Sequence, residues 1–161
     1  MQLPCRFTPT IAPASVVLTV AVLLLTATPA RAAIDETIPA PQSIAMLEQR
    51  AMMAQPREQC FLFTELVHSM TQLAGKQFLD GDFEQGAATL KKIQHYAQLI
   101  HQNLANNTKR IKEAEKLMEH TTFHLGEYVH QATGDDKMAL QATLKQLDGV
   151  HDELLTQVFA H

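Results

Sequence analysis

The stretch from Leu90 to Ala132, LKKIQHYAQLIHQNLANNTKRIKEAEKLMEHTTFHLGEYVHQA, decides the fold. Leu90, Ala97, Leu104, Ile111, Met118, Leu125 and Ala132 recur every seven residues, and Ile93, Ile100, Asn107, Ala114, Thr121 and Tyr128 fill the second seam position. A heptad repeat of this kind marks a helix that packs along one stripe against other helices. Kept in phase, it predicts a central helix of about 50 residues, roughly 75 Å long at 1.5 Å per residue. Asn106-Asn107-Thr108 is the main candidate interruption. A helix starting there would carry Lys109, Arg110 and Lys112 in its first turn, where cations oppose the macrodipole. The unbroken helix is therefore the expectation, with a four-helix up-down bundle broken near Asn106-Asn107 as the alternative.

Turn signals close the stretch at both ends. In Leu79-Asp80-Gly81-Asp82, Gly81 suits a left-handed C-terminal cap and Asp82 an N-cap, with Gln85 in the reciprocal capping position. Thr133-Gly134-Asp135-Asp136 offers a similar junction at Gly134 and Asp135. Matching seams lie beyond the turns. Phe63, Leu66, Met70, Leu73 and Gln77 precede them, and Leu140, Leu144, Leu147, His151, Leu154 and Val158 follow. Short turns fold each flanking helix back antiparallel, so the fold class is all-α, an elongated antiparallel bundle built on one long central helix. A helix that long leaves much of its stripe uncovered, which predicts a homodimer centred on Leu104, Ile111 and Met118.

Six of the seven prolines lie at or before Pro41, and none follows Pro56. Residues 33–42 therefore read as an extended leader and 43–161 as a single helical domain. Within that domain Pro56 starts or kinks the first helix, and Ser43 to Gln55 forms an extra segment reaching toward the last helix. Residues 1–32 read as a signal peptide, with Arg6 in a positive n-region, an apolar core from Val16 to Leu25, and the small-x-small site Ala30-Arg31-Ala32. That core is about half the roughly 20 residues a spanning helix needs, so the expectation is a periplasmic or secreted protein with no membrane span after cleavage. Cys60, the one cysteine left after cleavage, lies beside Phe61 and Phe63 and is expected in the core.

The 161 residues are 46% hydrophobic and 19% charged, with a net charge of −4. Cleavage after Ala32 removes Arg6 and Arg31, leaving 129 residues at −6. Without a basic excess to neutralise phosphates, nucleic acid is not an expected partner. The sequence has no Gly-rich phosphate loop, nucleophile elbow or haem-attachment motif, so no catalytic residue, enzyme activity or cofactor is expected. The expectation is an exported helical interaction or scaffold protein with a protein partner of unknown identity. The alternatives are a metal-binding protein using surface histidines and a chaperone-like binder with an apolar groove.

Histidine is the enriched titratable residue, with eight copies. Glu65/His68 and Glu127/His130 have the Glu-x-x-His spacing of di-iron bundles, but at about 100° per residue Glu65 and Glu127 point away from the apolar stripe. His120 and His124 stand at i,i+4 with Glu127 close by. At that spacing neutral imidazoles can share a zinc or copper ion, with Asp148 the other ligand in reach. A solvated polar face is the simpler reading of the same residues. His101 and His151 fall on apolar faces, where a polar seam residue fixes register or makes the seam sensitive to pH.

Overall fold

A computed structural model describes residues 39–106 and 109–160. The stretch read as a signal peptide (1–32), the part of the expected leader up to Ile38 and the seam position Asn107 lie outside the described residues. Within them the chain forms five helices and no strand: α1 Pro41–Met53, α2 Pro56–Leu79, α3 Phe83–Asn103, α4 Ile111–Gln131 and α5 Gly134–Phe159. The described part of the chain is all-helical, as its heptads predict. None of these helices is long and apolar enough to cross a membrane.

The central helix is not continuous. It ends at Asn103, turns through Leu104–Asn106 and resumes at Ile111 after Arg110 adopts a left-handed conformation at φ 59°. The cations argued against a helix start here, but the structure draws them aside. Lys109 Nζ lies 3.2 Å from Glu58 Oε1 on α2, and the Lys109 amide donates to the Arg57 carbonyl at 2.8 Å. The Arg110 guanidinium sits 3.5 Å above the centre of the Phe61 ring. With Arg110 at the N-cap, Glu113 falls in the first turn of α4, where a carboxylate complements the dipole.

The break lets the chain fold back on itself. α2 packs on α3 and α4, and α5 packs on the same two helices, so the four long helices enclose one core. Leu66, Leu90, Ile93, Ile100, Met118, Leu125, Leu140, Leu147 and Leu154 are fully buried or nearly so. Ile111 and Leu104 pack against that core from its edge. The stripe that would have met a second chain is thus covered largely within one.

Local chemistry sets the ends. The α2–α3 turn is a Schellman motif: the Asp82 amide donates to the Gln77 carbonyl at 2.8 Å and the Gly81 amide to the Phe78 carbonyl at 3.2 Å. Gly81 takes φ +81°, which an L side chain resists. Asp82 holds the N-cap position without a side-chain cap bond, so the reciprocal cap with Gln85 does not form. At the second junction the N-cap is Thr133 and Gly134 is the first helical residue, so the helix starts two positions earlier than the expected Asp135 cap implied.

Helix α1 begins at Pro41, inside the stretch read as leader, with proline at its start where no amide partner is lost. It lies against α2, not against the last helix. Extended Ala54 and Gln55 reverse the chain ahead of Pro56, which bars Gln55 from the helical region. The Tyr96 hydroxyl of α3 donates to Glu48 of α1, and its ring stacks on Phe63 with centroids 5.8 Å apart. Burial first, then the Glu48 hydrogen bond and charge, push the Tyr96 phenol above its usual range. A raised phenol keeps its proton when folded but loses it when unfolded, so its contribution is whole below about pH 10 and falls as pH rises past that. Tyr96→Phe should cost about 1–2 kcal/mol at neutral pH and lessen the loss of stability on the alkaline side, read by urea denaturation at pH about 7 and 11. Identical alkaline slopes in the two proteins would refute that role.

Candidate functional site

Two features stand out on the bundle surface: a histidine cluster between α2 and α4, and an apolar cleft at one end. The cluster begins with His120 and His124, one helical turn apart on α4, whose Nε2 atoms approach to 3.0 Å. His124 Nδ1 lies 3.0 Å from Glu127 Oε2. Only His124 Nδ1–H can donate in that contact, since a carboxylate only accepts. In a neutral His124 the Nε2 atom is then the acceptor, and His120 donates to it. Glu127 thus fixes which nitrogen of His124 faces its neighbour.

The structure adds a residue from another helix. The His68 ring of α2 lies 5.4 Å from the His120 ring. Its Nδ1 is 2.9 Å from Thr121 Oγ1, whose own hydrogen goes to the Leu117 carbonyl at 2.6 Å. His68 Nδ1–H is therefore the donor, and His68 Nε2 accepts from the Gln72 amide at 3.2 Å. The sequence offered His68 only as the partner of Glu65 in a Glu-x-x-His pair, with no link to His120. α2 is flanked by α1, α3 and α4, so its buried arc is much wider than one seam.

The other histidines separate from this cluster. His130 Nδ1 lies 2.6 Å from the Gly126 carbonyl and is exposed, so the two Glu-x-x-His pairs do not share a centre. Asp148, the expected further ligand, has Asp152 and His151 as its charged neighbours on α5. His101 is exposed at the edge of its face and pairs with Glu153 of α5 at 2.7 Å. His151 is half-buried and pairs with Glu115 of α4 at 3.3 Å. Both act as links between helices. Among the described residues, no three His, Cys, Asp or Glu side chains converge to hold a metal on their own. Cys60 is fully buried beside Phe61, as expected.

The cleft lies where the α2–α3 and α4–α5 turns meet. It has a volume of about 340 Å³ and is lined by Phe78, Leu79, Phe83, Tyr128 and Ala132, with Gln131, Thr133 and Asp136 at its polar side. Phe78 and Phe83 face each other with centroids 6.4 Å apart. Leu79 is 64% exposed and Phe83 53%, so folding leaves much of this apolar surface in water. The sequence offered no sign of it, because the cleft is assembled from the ends of four helices. No family model, curated protein or solved structure matches this chain.

Proposed function

We propose that this chain is an exported helical interaction protein that takes an apolar anchor of a partner protein into the cleft between Phe78, Phe83 and Tyr128. The single observation behind this reading is the exposed pair Leu79 and Phe83 standing at the mouth of a preformed apolar cleft. Isolated exposed apolar residues are ordinary, but a contiguous group around a concavity marks a contact surface. The volume suits one or two large side chains, and the polar groups at Gln131, Thr133 and Asp136 would orient the backbone that carries them. Export rests on Arg6, the apolar core and the Ala30-Arg31-Ala32 site, and the exported form should begin at Ala33.

The test uses a fluorescent peptide carrying adjacent Phe and Leu anchors, titrated into the protein purified from the exported fraction. Saturable binding should weaken at least tenfold in Phe83→Asp, with the helical circular dichroism retained, because a charge at the mouth opposes desolvation of the anchor. Binding that is absent, or equal in the two proteins, refutes the reading. Sedimentation equilibrium of the same samples identifies the case in which the partner is a second copy. The homodimer would then form through this cleft and dissociate in Phe83→Asp.

A further inference from the structure

We propose that His120 and His124 form a two-histidine site for a divalent copper ion, held in register by Glu127 acting behind the ligands rather than on the metal. The expectation from spacing alone placed Glu127 with the ligands. The contacts assign it differently, because its carboxylate takes the Nδ1–H of His124 and leaves Nε2 of that ring facing Nε2 of His120. A carboxylate behind a metal-binding imidazole fixes the tautomer and raises the basicity of the ligand nitrogen.

The spacing of the two nitrogens selects the metal. At metal–nitrogen bonds of about 2.0–2.1 Å, nitrogens 3.0 Å apart subtend an angle of about 91–97° at the ion. That is the cis angle of a tetragonal site and well short of the tetrahedral angle that zinc adopts. Copper(II) prefers tetragonal geometry with imidazole donors and stands at the top of the affinity order for divalent ions. The ion takes the place of the proton bridging the two rings, and His120 changes tautomer, losing that proton from Nε2 and gaining one from water on Nδ1, so both ligands stay neutral imidazoles. No redox change is involved, and water completes the coordination.

The surroundings suit an open site. The His124 side chain is 24% exposed, and a shallow depression lined in part by Lys116, Leu117 and His120 opens at the His120 end of the pair. His68 packs against His120 from α2 with its Nδ1–H given to Thr121 and its Nε2 accepting from Gln72, so it buttresses the ring instead of supplying a third nitrogen. This inference does not depend on the apolar cleft, and either can fail without the other.

Copper(II) chloride titrated calorimetrically into the purified protein, with electron paramagnetic resonance on the same samples, tests it. One ion per chain is expected, with a spectrum showing two imidazole nitrogens. Nickel and zinc should bind more weakly than copper. His120→Gln and His124→Gln should each weaken binding at least tenfold. Glu127→Gln should weaken it about 10–100-fold while keeping both nitrogens in the spectrum, as loss of an outer carboxylate does. His130→Gln should leave it unchanged. Copper should also protect His120 and His124 from acylation by diethyl pyrocarbonate in the unaltered chain, a reading that needs no variant to fold. The proposal is overturned by absence of stoichiometric uptake, by unchanged affinity in the double His120→Gln, His124→Gln variant, or by failure of copper to protect the two rings.

Discussion

Leu125→Ala should lower the unfolding free energy by about 3–5 kcal/mol, whereas Phe123→Ala, two residues earlier, should change it by less than about 0.5 kcal/mol. Leu125 is fully buried on the inner face of α4, so truncation loses its transfer free energy and leaves a cavity that the surrounding helices close only in part. Phe123 is larger and more apolar in surface, yet it is 64% exposed and touches the edge of His124 with ring centroids 5.6 Å apart. Hydrophobicity alone would rank the two the other way. Thermal and urea denaturation of both variants decides the matter, with a melting temperature lowered by roughly 10 °C or more expected for Leu125→Ala alone. Comparable losses in the two variants would mean that α4 presents a different face to the core.

The contrast between those residues was legible in the heptad, because Leu125 occupies a seam position and Phe123 does not. Buried Leu90, Ala97, Met118, Ile93, Ile100 and Thr121 follow the same repeat. What the repeat did not reveal was the break within it. Seven residues separate the end of α3 at Asn103 from the start of α4 at Ile111, one full heptad, so the apolar count stays in phase across a chain reversal. Periodicity records spacing along the chain and is blind to a non-helical segment of one whole period. The signal read against a break, the run of cations at Lys109, Arg110 and Lys112, depended on partners that sequence did not supply. Glu58 and the Phe61 ring on α2 absorb Lys109 and Arg110 only once the chain has folded back.

The candidate sites divide along the same line. His120, His124 and Glu127 meet because they sit within two turns of one helix, and fixed spacing of that kind can be read directly. His68 reaches them only through the packing of α2 on α4, 52 residues away along the chain from His120. The cleft is more remote still from any local pattern. Phe78, Phe83 and Tyr128 are unremarkable singly, and the space between them is created by how closely α2 approaches α4.

That approach rests on Gly75, and Gly75→Ala should destabilise the protein by about 1–3 kcal/mol although the same change in an open helix is favourable. Gly75 is buried in the middle of the last turns of α2, and a methyl group built on it would fall inside the van der Waals surface of the Tyr128 ring at its Cζ, Cε2 and hydroxyl. The bare backbone is what allows the ring to lie across α2 and close the floor of the cleft. Gly126 and Gly149 give the reference, since an added Cβ at either meets nothing within 4 Å. Ala at those positions should stabilise the helices by about 1 kcal/mol each, through the propensity difference alone. A double-mutant cycle isolates the contact: Tyr128→Leu removes the ring atoms that collide, so Gly75→Ala should be far less damaging in that background, with a coupling of about 1–3 kcal/mol. Equal effects of Gly75→Ala with and without the tyrosine would place the strain elsewhere. A stabilising Gly75→Ala in the unaltered chain would show that α2 and α4 stand further apart. In the destabilised variant the displaced Tyr128 ring should also cost the cleft its affinity for the Phe-Leu peptide, because the wall that the glycine admits is the same wall the anchor packs against.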